Sequence, residues 1–136
     1  MRTFDPELRA RIPGQMERLV QGVTEGYGAT YSFRYTNGYR ALHNDPATTE
    51  LLREVVRDTL GEEVTLSEGR PNMGGEDFSA YLTRAPGTFI VIGAGNVEEG
   101  ITAPHHHPRF TVDERALDHG VQLYVGAARR LTRPQT

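Results

Sequence analysis

In Pro104-His105-His106-His107-Pro108-Arg109-Phe110 three consecutive imidazoles stand ahead of a proline, and upstream Met73-Gly74-Gly75-Glu76-Asp77-Phe78-Ser79 carries two acids behind a glycine pair. Neutral imidazoles and carboxylates are the donors that zinc or manganese prefers, so these two segments hold the candidate metal chemistry of the chain. In an extended segment alternate side chains point to opposite sides, which limits the run to one or two ligands for a single ion. Pro108 favours an extended His107 and helps fix the loop. A solvated His-rich loop accounts for the same residues without a metal, and His43 and His119, each isolated, read as non-ligands.

The pair Gly74-Gly75 lets the backbone pass close to another group, while Glu76 and Asp77 fall in the first turn of a short helix. Acids there also serve the helix dipole, so the segment alone is a weak signal. A bare Gly-Gly lacks the spacing of a phosphate loop, and no Gly-x-Ser-x-Gly elbow supports a serine nucleophile. Gly93-Ala94-Gly95-Asn96 is too short for a dinucleotide fingerprint and reads as a tight strand exit.

These segments need elements to position them. Asp5-Pro6 is a cap followed by a first-turn proline, and Leu8, Ile12, Met16, Leu19, Val20 and Val23 recur at helical spacing until Gly26 and Gly28, with Pro13 a candidate kink. Asp45-Pro46 repeats the signal ahead of Leu51, Leu52, Val55, Val56 and Leu60, closed by Gly61. A short helix is expected over 75–82. The spacing of Thr111 and Glu114 predicts a capping box opening a last helix, with Leu117, Val121, Tyr124, Val125, Ala128 and Leu131 facing inward. Alternation predicts a strand over 29–35, with Tyr31, Phe33 and Tyr35 on one face, and 63–66 is a further strand candidate. The run over 88–92 predicts a strand covered on both faces. Helices and strands in alternation imply an α/β fold, a layered sheet with helices.

At 136 residues with 37% hydrophobic content the chain is long enough for a core of moderate size. Its charge of −3 and scattered arginines exclude the basic stripe of a nucleic-acid binder, and its longest apolar run, 88–95, is too short to span a membrane. The absence of cysteine excludes disulfides, thiolate ligands and a cysteine nucleophile, and the cytoplasm is the expected location.

Four stretches taken together resemble a known family. They are Arg2-Thr3-Phe4-Asp5; Asn44-Asp45-Pro46; Asn72 to Ser79; and His106-His107-Pro108-Arg109-Phe110 followed by Asp113-Glu114-Arg115-Ala116-Leu117. With 87–95 they follow the order of the aminoacylase and carboxypeptidase type of dinuclear metallohydrolases, in the hippurate hydrolase and N-acyl-amino-acid amidohydrolase branch. The resemblance implies that residues 1–40 are the second half of a lid, or dimerisation, domain. It likewise implies that residues 41–136 are the C-terminal part of a zinc-peptidase-like catalytic domain. It makes His106 a metal ligand, leaves out His105, which stands where relatives often have leucine, and puts Gly74, Gly75 and Glu76 beside the cleft as supporting residues.

In the intact family, zinc or manganese activates a water that a glutamate deprotonates for attack on an amide carbonyl. The bridging cysteine, a further histidine, the glutamate ligand and that catalytic glutamate come from an N-terminal region without a counterpart here. The expectation is therefore a fragment of a metal-dependent amidohydrolase for N-acyl amino acids or peptides. It would be inactive alone, with no catalytic residue of its own and no tightly bound metal. The alternatives are a noncatalytic dimerisation or assembly module, and an independent hydrolase with a new site around His106 and Glu76. Truncated elements with exposed edges imply a homo-oligomer.

Overall fold

The computed structural model describes residues 1–64, 66–67 and 69–133, which form two compact units. The first comprises residues 1–44 and 69–87, and the second 45–68 and 88–136. The helices are α1 (Pro6–Gly26), α2 (Pro46–Leu60) and α3 (Arg115–Leu131), with a 3-10 helix at Asp77–Thr83. Among the described residues no helix is long and apolar enough to cross a membrane.

The first unit is built on α1. The Asp5 carboxylate accepts the backbone N–H groups of Glu7 and Leu8, which otherwise lack helical partners, and the helix continues through Pro13. It ends where Gly28 turns left-handed at φ +64°. There the Gly28 N–H reaches the Glu25 carbonyl and the Ala29 N–H reaches Thr24, a doubly bonded helix stop that a side chain at position 28 would strain. Ile12 is the buried anchor of α1, whereas Leu19 and Val23 on the expected apolar stripe are exposed. Long cationic side chains tie the unit together: Arg2 donates to the Met73 carbonyl at 2.6 Å and Arg9 to the Gly38 carbonyl at 2.6 Å.

The second unit is a pair of packed helices, α2 and α3. Asp45 caps α2 by accepting from the Thr48 N–H and hydroxyl, and Val55 and Val56 are buried as their spacing predicts. Gly61, at φ +93°, closes the helix. On α3 the buried side chain is Leu123, while Leu117, Val121, Tyr124, Val125 and Leu131, expected inward, are all exposed. The helix presents its small residues to the unit instead. A Cβ at Gly126 would lie 2.9 Å from both Val55 and Thr59, and one at Gly120 would lie 3.5 Å from Ile92. Close approach of two helix backbones thus decides the buried face against the bulkier stripe.

The layered sheet is not found. Among the described residues there is no strand, only an isolated antiparallel bridge between Asn96 and Ile101. Segments 29–35 and 88–92 lie outside any ladder, and in the candidate at 63–66 Thr65 falls outside the described residues. Phe89 and Ile90 are exposed, and Val91 is 79% exposed, where cover on both faces was expected. Alternation and β-branching describe a segment suited to pairing. A strand exists only when a second segment completes its hydrogen bonds, and no described segment does so.

Candidate functional site

The histidine run is not extended. It forms two consecutive turns, closed by the His107 N–H on the Pro104 carbonyl at 3.1 Å and the Phe110 N–H on the His107 carbonyl at 2.9 Å. In the first of these His106 has φ +66° and occupies the third position of the turn, which ordinarily belongs to glycine. Left-handed backbone costs an L side chain about 1–2 kcal/mol, so this imidazole is presented at an energetic cost.

Each of the three rings meets a different environment. His105 packs edge-on against Phe110, with centroids 4.8 Å apart. The His107 Nδ1 accepts the Arg109 N–H at 3.1 Å, which occupies that nitrogen. His106 is exposed, lies edge-on to the His105 ring at 6.4 Å between centroids, and makes no hydrogen bond among the described residues. The turns, rather than strand alternation, separate the three imidazoles.

The loop is framed by a polar network that sequence reasoning missed. Asn96 pairs through its backbone with Ile101 and donates its side-chain amide to Asp113 at 2.9 Å. Asp113 accepts the Arg115 N–H at the start of α3, and its own N–H donates to the Ala94 carbonyl at 2.8 Å. Arg115 holds both Asp113 and Glu99. Hydrogen bonds from the Arg115 guanidinium first, then from Asn96 and the Arg115 backbone, hold the Asp113 carboxyl far below the usual carboxylate range. The same contacts with Asp113, with Glu99 behind them, raise Arg115. Asp113 therefore replaces the expected Thr111 and Glu114 capping box, and Glu114 makes no side-chain cap bond. The legible signal was an Asp two residues ahead of an Arg at a helix start, beside an Asn in a glycine-rich turn.

Gly74, Gly75 and Glu76 belong to the first unit, and His106 to the second. The Gly74 N–H donates to the Asn72 side chain at 2.7 Å, and a Cβ at Gly74 would meet that same oxygen at 2.6 Å. Glycine is needed there because the Asx turn leaves no room for a side chain. Glu76 is the cap of the 3-10 helix, not a first-turn residue: its carboxylate accepts the Phe78 N–H at 3.1 Å. Its carbonyl takes the hydroxyl of Ser79, the buried polar residue of the unit, at 2.6 Å.

A zinc or manganese centre requires several converging donors. Among the described residues no group of three or more His, Cys, Asp or Glu side chains is arranged to hold a metal ion. The described residues thus do not by themselves fit such a centre.

The family model for peptidase family M20/M25/M40 matches residues 5–130. A Bacillus subtilis protein provisionally named as an amidohydrolase is 36% identical over 127 residues, 93% of this chain and 32% of the relative. The N-acetylcysteine deacetylase of Bacillus subtilis is 34% identical over 128 residues, 94% of this chain and 32% of its own. Thermostable carboxypeptidase 1 of Saccharolobus solfataricus is 32% identical over 126 residues, 92% of this chain and 31% of its own. The chain spans about a third of the length of these relatives. No solved structure matches it.

Proposed function

Because the chain belongs to peptidase family M20/M25/M40, we propose that it is part of a metal-dependent amidohydrolase acting on the amide bond of N-acyl amino acids or peptides. The observation that carries this reading is the match over 5–130, which takes in both the glycine-acid segment and the histidine turns. The names of the relatives, an amidohydrolase, a deacetylase and a carboxypeptidase, share hydrolysis of an amide bond.

In this reading His106 offers an imidazole to a zinc or manganese centre, while Gly74, Gly75 and Glu76 shape the backbone beside the substrate. The exposure of His106 and its left-handed backbone support the assignment, since strained backbone clusters at functional positions. The remaining donors and the general base lie outside the residues described here. A cytoplasmic location accords with the absence of cysteine.

A chimera tests the proposal. These 136 residues replace the matching third of the Bacillus subtilis amidohydrolase relative, and the purified product is assayed against hippurate with zinc or manganese. Metal-dependent turnover that disappears in His106→Ala is expected, and a folded chimera without turnover overturns the proposal. The chain alone is expected to be inactive, and metal-dependent turnover by it would overturn that part.

The exposed stripe Leu117, Val121 and Tyr124 favours a second reading, a noncatalytic assembly module. Co-purification of the chain with a larger hydrolase polypeptide would distinguish it.

A further inference from the structure

Resting on the reading of His106 given above, we propose that Asn96 is its positioning residue, holding both ends of the loop that carries it. The histidine turns lie within residues 102–112, and the residues that flank this stretch, Ile101 and Asp113, are both bonded to Asn96. The Asn96 N–H donates to the Ile101 carbonyl at 2.9 Å, and the Asn96 carbonyl accepts the Ile101 N–H at 2.7 Å. The Asn96 side-chain amide donates to the Asp113 carboxylate at 2.9 Å. One residue thus closes the loop at one end with its backbone and at the other with its side chain.

An asparagine suits this place because its amide donates and accepts at once. While its nitrogen serves Asp113, its oxygen accepts the Glu99 N–H at 3.2 Å, which holds the amide in that orientation. An aspartate there could accept but not donate, and would set a second carboxylate against Asp113. The Asp113 side chain is only 16% exposed, so water competes weakly for this charge-assisted bond. A second bond, from the Asp113 N–H to the Ala94 carbonyl at 2.8 Å, holds the same end of the loop. Tying both ends removes much of the conformational freedom of the residues between them. A left-handed His106 persists only where the surrounding structure over-determines it, and the clasp at Asn96 supplies that constraint from outside the turn.

Amide hydrogen exchange of the full 136-residue chain, read residue by residue by NMR, tests the clasp. Asn96→Ala keeps the backbone pair with Ile101 and removes the side-chain bond. Exchange at His107 and Phe110 should then accelerate at least about tenfold, as loss of a hydrogen bond to a charged group implies, with a smaller change at Val56 and Leu123 in the helix pair. Asn96→Asp should act in the same direction. Combining Asn96→Asp with Asp113→Asn reverses donor and acceptor, and should recover part of the protection that Asn96→Asp loses. Equal acceleration at all of these amides, which a general loss of stability produces, no acceleration, or no recovery in the reversed pair overturns the proposal. In the chimera, Asn96→Ala should lower turnover about tenfold or more at little changed KM, as displacement of a functional group implies. Turnover lost with His106→Ala but kept with Asn96→Ala overturns the positioning role and leaves the reading of His106 standing. A chimera inactive with Asn96 in place overturns that reading, and amide exchange still decides the clasp.

Discussion

Gly126 of α3 approaches Val55 of α2 so closely that a Cβ at position 126 would lie 2.9 Å from the valine methyl, with Thr59 at the same distance. In an exposed helix Gly→Ala is stabilising by up to about 1 kcal/mol, but crowding two β-branched neighbours costs about 1–3 kcal/mol. Gly126→Ala is therefore expected to destabilise the second unit, and Gly126→Val to do so more severely. The midpoint of urea unfolding measures both, and a stabilised Gly126→Ala protein would show that the two helices do not touch as described.

Neighbouring positions on α3 should respond in opposite ways. Leu123 is 6% exposed and Tyr124 is 82% exposed. Leu123→Ala should cost about 2–5 kcal/mol, and Tyr124→Ala should stay within about 0.5 kcal/mol of the parent. The reverse order in chemical denaturation would assign the buried face to the bulkier stripe.

Acid should weaken the second unit through Asp113. Its pKa is depressed in the folded protein, so its contribution is complete above the unfolded carboxyl value of about 3.9 and is lost as pH falls through the folded value. Asp45 is lowered in the same direction, chiefly by the Thr48 N–H. Asp113→Asn should melt below the parent at pH 7, with the gap narrowing as pH falls below about 4. A gap that stays constant down to pH 2.5 in melting curves would remove Asp113 from the acid response.

At His106 stability and chemistry should part. Glycine tolerates φ +66° without a Cβ penalty, so His106→Gly should raise stability by up to about 1 kcal/mol, and His106→Val should lower it. Thermal melts of the two variants check the sign, and a destabilised His106→Gly would mean that the imidazole itself supports the turn.

Exposed Leu117, Val121 and Tyr124 should drive self-association at high concentration. Light scattering is expected to show a homodimer or larger species that Val121→Glu dissociates. A folded, strictly monomeric sample across the concentration range would defeat the expectation.

The helices were legible because their causes are local. Asp5-Pro6, Asp45-Pro46, Gly28 and Gly61 act through bonds within a few residues, and the structure places the ends of α1 and α2 at these signals. The family was legible because the glycine-acid segment and the histidine motif keep their order over nearly the whole chain. Strand pairing was not, because a ladder needs a second segment, and residues 29–35 and 88–92 carry the propensity without a partner among the described residues. The inward face of α3 depended on how near α2 comes, and that distance allows Gly126 where a wider gap would have favoured Val121 and Tyr124. The left-handed His106 was equally hidden, since nothing in three successive histidines tells which one a turn places at its third position. Local hydrogen bonding is written in neighbouring residues, whereas pairing, close approach and strain belong to segments that only the folded chain brings together.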